Sequence, residues 1–365
     1  MTLLASTHGY WNLQTFWFFL IAVLWIGYFV LEGFDFGVGT LLPVVGRDDD
    51  ERGVLIRTIG PVWDGNEVWL LVAGGATFAA FPGWYASLFS GFYLALFLIL
   101  VVLILRGIAI EYRNKRPDSE WRHRWDLVLS ASSGLAAVLW GVGVSDFVGG
   151  VPTNAEGQVT ANLLDLLHPY AVFGGLTMLA LFSFHGALFL GLRTTGALEA
   201  RAKATAARLG LPAAALTFGY LIWTYANARS NGRGLVPGII PVAAFLLPFA
   251  AGALLRSGHL GWAFAATAGS IALVVLTLFL NLYPRVIVSG TSAAWSPTIW
   301  STSSSHYTLV VMTIVALVFT PIVLAYQAWS YWVFRGRLGD ENAPHSPLEL
   351  LERSPLGTGT PQTGA

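Results

Sequence analysis

The chain contains no cysteine, which removes disulfides, thiolate metal ligands and thiol chemistry from consideration. It is also short of charge. Only 11% of its 365 residues are Asp, Glu, Lys or Arg, against roughly 25% in a soluble globular chain. So few charges cannot cover a surface facing water. A Walker motif, a dinucleotide-binding glycine fingerprint and an HExxH pair are also missing, which argues against ATP-driven transport and zinc hydrolysis. The opening residues lack the basic n-region of a secretory signal, and the first apolar run outlasts an h-region, so that run is expected to be the first membrane span.

What fills the chain is apolar and aromatic. It is 55% hydrophobic and 14% aromatic, with 15 Trp and 23 Phe. The sequence predicts nine spanning segments, with cores near 15–41, 60–80, 85–105, 127–147, 166–191, 208–227, 236–255, 260–282 and 307–334. Each approaches or exceeds the ~20 residues a helix needs to cross a bilayer. None shows the alternating period of barrel strands, so the expected fold class is all-α, a polytopic membrane helical bundle. The expected membrane domain is 1–336. The tail 337–365, rich in Pro, Gly, Ser and Thr, is expected to be disordered.

Orientation follows from the basic residues. If the N-terminus lies outside, 17 of the 20 Lys and Arg fall on the inner side, and Arg229, Arg233 and Arg285 are the exceptions. This positive-inside bias predicts a multi-pass protein of the bacterial cytoplasmic membrane, N-terminus outside and C-terminus in the cytoplasm. With a net charge of zero, no nucleic-acid partner is expected.

Chemistry is sought in the ionisable residues of the spans, which are costly unless paired or hydrated. In GYFVLEGFDFGVG, Glu32 and Asp35 stand three apart; in PVWDGNEVWLL, Asp64 and Glu67 do the same. Two consecutive helices thus bring four acids to matching depth in the cytoplasmic half. Acids clustered in a low dielectric exchange protons as a coupled group. Asn66, Trp63 and Trp69 offer a neutral hydrogen-bonding wall, and Gly33, Gly37, Gly39 and Gly65 allow close helix approach or water. The residues point to a proton path or cation pocket; the alternative is a structural role in which the acids meet Arg57, Arg106 or a partner's basic residues. At the inner end of the third segment, LRGIAIEYRNKR supplies Arg106 as a neutralising cation and Glu111 as a bridge to cytoplasmic water, unless both simply snorkel. His168 and His185 are 17 residues apart and form no paired axial-ligand arrangement. Asp146, Asn281 and Tyr283 are polar positions without an assigned use.

Three stretches, GFDFGVG at Gly33–Gly39, GPVWDGNEVWLLVAGGATFAAFP at Gly60–Pro82 and FSGFYLALFLILVVLILRGIAIEYR at Phe89–Arg113, closely resemble subunit II of the cytochrome bd type quinol oxidase. That resemblance implies two four-helix bundles plus a peripheral helix. It also implies a haem-bearing partner, subunit I, that ligates two b-type haems and haem d and carries the quinol-oxidising loop, while this chain ligates no cofactor. The aspartates of the GFD and WDGN motifs, here Asp35 and Asp64 with Trp63 before the latter, are implied to form a proton route at the subunit interface. Glu67 sits at a motif position that varies. Small accessory membrane subunits and lipid are further partners the resemblance allows, and some members hold a structural quinone in this subunit.

The reading is therefore the haem-free second subunit of a terminal oxidase that oxidises quinol and reduces dioxygen to water. It would stabilise subunit I and supply cytoplasmic protons. The alternatives are a proton-coupled secondary transporter, which would place a substrate pocket at the midplane between repeats, and a purely structural membrane subunit.

Overall fold

The computed structural model describes residues 12–230 and 238–339. Within them the chain is helical. β-Structure is limited to isolated bridges such as Val151 with Ser289 and Arg285 with Thr298.

α1 (Leu13–Val45) is capped by the Asn12 side chain, which accepts from the Thr15 amide. At 33 residues it runs about 50 Å, longer than the hydrocarbon is thick. A short amphipathic helix, α2 (Asp49–Ile59), follows, with Asp49, Asp50 and Glu51 in its first turn and Arg57 in its last. Both ends suit the helix dipole. α3 (Trp63–Ala80) ends where Pro82 opens α4 (Pro82–Gly91), and α5 (Tyr93–Tyr112) begins after a break at Phe92. The predicted segment 85–105 is therefore two helices. The break lies beside a close tertiary contact: a Cβ at Gly91 would lie 2.2 Å from Val159 of the loop after α6.

α6 (Ser119–Gly149) stops at Gly150, whose φ of 97° suits glycine. α7 (Pro169–Arg193) starts with His168 as its cap and proline in its first turn. α8 (Gly196–Ser230) begins well before the predicted 208, because its first turns are polar and project beyond the apolar stretch. α9 (Ile239–Arg256) and α10 (Leu260–Leu282) form a hairpin through Gly258, and α11 (His306–Val333) closes the order. Arg233 and Pro237, at the junction expected between segments six and seven, lie outside the described residues, as do 340–365 of the expected tail. The first tail residues are docked: Leu338 N donates to Arg193 O at 2.7 Å and Arg337 Nη2 to Thr194 O.

Among the described residues, eight helices are long and apolar enough to cross a membrane: α1 and α5 through α11. The second expected segment, 60–80, is present as α3. It falls short of that apolarity because Asp64, Asn66 and Glu67 occupy its first turns. α7, α8, α9 and α10 pack as a closed ring of four. α1 leans on this ring and heads a second group with α3, α6 and α5, whereas α11 touches mainly α1 and α3 and is the least buried of the long helices. Where α1 crosses α7 there is no room for side chains: a Cβ on Gly186 would lie 2.5 Å from the Gly37 carbonyl carbon. Such glycine contacts let backbones pack where lipid offers no hydrophobic drive.

The two bundle ends differ. At the end opposite α2, the loops after α6 and α10 are laced together. Val151 N donates to Val288 O, Gly290 N to Val151 O, and Thr153 Oγ1 to Ser289 Oγ at 2.6 Å. Ser304 N binds the loop before α11 to Ala80 O at the end of α3.

Candidate functional site

The polar interior lies where α1, α3, α5 and α11 meet. Glu32 and Asp35 project from the middle of α1 and are fully buried. α5 contributes Arg106, also 0% exposed, whose Nη1 stands 2.5 Å from Glu32 Oε1 and 3.9 Å from Glu67 Oε2 of α3. The guanidinium carbon lies 5.0 Å from the Phe36 ring centre and 6.0 Å from that of Trp63, within reach of a cation–π attraction. Taking a carboxylate and a guanidinium out of water costs several kcal/mol per ion, roughly offset by their mutual attraction and by these rings. Glu32 Oε2 and Asp35 Oδ1 are buried and have no hydrogen-bond partner among the described residues. Each is an acceptor position open to a proton.

Asp35 is held from the other side. Asn66 Nδ2 donates to Asp35 Oδ2 at 2.7 Å. The Asn66 carbonyl oxygen in turn accepts from Tyr331 OH at 2.7 Å and from Gln327 Nε2 at 3.3 Å, both on α11. Trp69 Nε1 donates to Gln327 Oε1 at 2.7 Å. A cavity-free contact makes this possible, since Gly27 of α1 leaves the Trp69 ring the space a Cβ would fill.

The structure unites Glu32, Asp35, Glu67 and Arg106, as the motif spacing suggests, with Trp63 half-buried beside them. It does not bring Asp64 into the cluster. Asp64 is exposed on the first turn of α3, and Gly65 beside it meets nothing within 4 Å. The expectation of four acids on facing helices is thus corrected to three inside and one at the rim. Glu111 is exposed on the last turn of α5. Arg57 does not reach the acids; burial, helped by the neighbouring Arg113 guanidinium, pulls it below its ordinary value. Gln327 and Tyr331 escaped the sequence reading. Their signal was a polar pair four apart in an apolar helix.

A second ionic group, also missed, ties α2 to the base of α6. Arg113, 2% exposed, bonds Asp126 through Nε at 2.5 Å and Asp49 through Nη2 at 2.8 Å, and Asp49 also binds Arg122. Every acid here has a cation, so this group is a clamp. Neither candidate histidine fits an axial ligand. His185 is fully buried with both ring nitrogens engaged, Nδ1 with Thr267 Oγ1 at 2.6 Å and Nε2 with Val30 O at 3.3 Å. His168 accepts from the Ala171 amide through Nδ1 and places Nε2 3.0 Å from Asp146. Asn281 bonds back to Thr277 O, and Tyr283 OH meets Thr15. Among the described residues no group of three or more His, Asp or Glu is arranged to hold a metal.

The family model described as cytochrome bd terminal oxidase subunit II matches residues 13–334. The chain is 39% identical to cytochrome bd ubiquinol oxidase subunit 2 of Bacillus subtilis (strain 168), over 90% of this chain and 97% of the relative. It is 36% identical to cytochrome bd-I ubiquinol oxidase subunit 2 of Escherichia coli (strain K12), over 93% and 98%. In fold it resembles a chain from the structure of bd oxidase from Geobacillus thermodenitrificans, with a TM-score of 0.69 at 19% identity, covering 88% of this chain and 99% of that one. The chain belongs to the cytochrome bd terminal oxidase subunit II family.

Proposed function

We propose that this chain is the haem-free second subunit of a bd-type terminal oxidase, and that it stabilises a haem-bearing subunit I and delivers cytoplasmic protons for dioxygen reduction. Quinol oxidation and electron transfer to haem belong to the partner in this reading. The observation that carries it is a gradient of burial among carboxyls around one cation: Asp64 exposed, Glu67 with its side chain 22% exposed, Glu32 and Asp35 closed off. Two carboxyls, Glu32 and Glu67, pair with the Arg106 guanidinium and the buried Asp35 has no cation of its own, so charge balance in a low dielectric leaves protons to be held among the three. Asp64 is the mouth of the route, Glu67 its intermediate, and the buried pair its inner station.

The rim of that route lies on a face suited to a second membrane subunit. Asp64, Gly65, Val68, Leu71, Val72, Gly75 and Phe78 form one exposed stripe along α3 at helical spacing. Small residues in such a stripe let another helix approach closely.

The test uses the whole complex, matched for haem content and subunit ratio. Asp35→Asn and Asp64→Asn remove a titratable group at nearly constant volume, and each is expected to slow quinol oxidase turnover and the proton-uptake phase by about tenfold or more, within the range of positioned proton transfer. Asp64→Glu recovers part of the rate. Unchanged uptake in both Asn variants removes these residues from the route, and loss of haem or of subunit I in both would instead assign them to assembly.

A further inference from the structure

Proceeding from that reading of Asp35, we infer that α11 is a positioning element of the acid site, with Gln327 and Tyr331 fixing the Asn66 amide so that it donates to Asp35. The direction of every bond is forced. An indole N–H can only donate, so Trp69 turns the oxygen of Gln327 toward itself. The Gln327 amino group then faces α3 and donates to Asn66 Oδ1, where the Tyr331 hydroxyl donates as well. With its oxygen taken twice, Asn66 presents its amino group to Asp35 Oδ2. A flipped Asn66 would set amino against amino at Gln327 and oxygen against oxygen at Asp35. Asn66 and Asp35 are both 0% exposed, so no bulk water relieves such a mismatch.

Carboxamides donate hydrogen bonds but do not readily take up and release protons. The chain from Trp69 to Asn66 therefore orients Asp35 rather than conducting to it, and conduction is left to the carboxyls on the α3 side. The same chain gives α11 a reason to be where it is. Its surface is exposed almost throughout, with Leu309 its buried apolar side chain. Besides the packing of Leu309, Met312, Ala316 and the Tyr331 ring, it is held by polar contacts: Trp17 Nε1 to Leu309 O and Thr313 at one end, and those of Gln327 and Tyr331 at the other. A merely adhesive role for the second set would hold the helix without affecting Asp35. A positioning role makes the vibrational state of the Asp35 carboxyl depend on side chains that never touch it.

The experiment is infrared difference spectroscopy of the complex on reduction and reoxidation, combined with time-resolved proton uptake. Asp35→Asn identifies the carboxyl band of Asp35. Tyr331→Phe removes one hydroxyl oxygen, and Tyr331→Phe with Gln327→Leu removes both donors to Asn66. At wild-type haem content and subunit ratio, the band is expected to shift in the single variant and further in the double one, with uptake slowed up to about tenfold, the worth of roughly one hydrogen bond. Trp69→Phe frees Gln327 and gives a smaller shift of the same sense. An unmoved Asp35 band and unchanged uptake in the double variant overturn the inference. Should the double variant fail to assemble, Tyr331→Phe carries the same decision. The proton-route reading fails separately, if Asp35→Asn leaves uptake unaltered while the band still responds to Tyr331→Phe.

Discussion

Arg106 is the most exacting residue of the chain, because its charge is compensated by groups that have no other source of compensation. Removing one member of a buried pair leaves the other stranded, at a cost of about 3–5 kcal/mol. Arg106→Gln is expected to lower the denaturation midpoint of the detergent-solubilised complex accordingly, whereas Glu32→Gln combined with Arg106→Met should recover much of that stability without recovering turnover. A midpoint unaffected by Arg106→Gln would mean that Glu32 is already neutral and the pair is a simple hydrogen bond. Glu32, Asp35, Glu67 and Arg106 were legible in the sequence because charge in an apolar run is costly enough to need a purpose. Their arrangement was not. Residues three apart on a helix differ by about 60° around its axis, which is enough for Glu67 to face Arg106 while Asp64 faces out. Gln327 and Tyr331 went unnoticed because nothing within α11 says which helix they meet.

Among the helices, the crossing of α1 and α7 sets how closely the two groups of the fold can approach. Gly186→Val places two methyl groups where the Gly37 backbone already lies, and overpacking of this kind costs about 3 kcal/mol. The expected result is a complex that loses subunits at lower temperature, measured by size-exclusion chromatography after heating, while Gly252→Ala, whose added Cβ meets nothing within 4 Å and lies off the α3 stripe, leaves that temperature unchanged. Equal effects of the two would show that the crossing is looser than the backbone distances indicate. Hydropathy located every long helix, since burying backbone polar groups in lipid demands helices wherever the chain is apolar. It could not find the break at Phe92, which lies within an apolar run and beside the distant Val159, nor the extended start of α8, whose polar first turns carry no apolar signal.

For the molecule as a whole, the sidedness of everything after α3 turns on whether that helix, with its polar first turns, crosses the membrane. The absence of cysteine makes this directly measurable. Single-cysteine variants Asp50→Cys and Glu120→Cys are expected to react with a membrane-impermeant maleimide only from the cytoplasmic side, and Ser90→Cys and Glu156→Cys only from the outside. Asp50 and Ser90 on the same side would mean that α3 does not cross and that the alternation of basic loops is broken at its first step. The expected sidedness rests on the basic residues alone, which are retained on the inner face during insertion. The packing of the two four-helix groups has no such one-dimensional trace; it rests on pairings between helices far apart in the chain.

The lacing of the loops beyond α6 and α10 gives the molecule a stoppered end. Val151, Val288 and Gly290 exchange backbone hydrogen bonds there, and Ser304 stitches the same layer to the end of α3. The other end is framed by ionic clamps around α2, with Asp64 on its rim. On the proposed route, protons would enter and leave at the end that carries Asp64, so which compartment supplies them would be decided by which way up the chain was threaded when it was made.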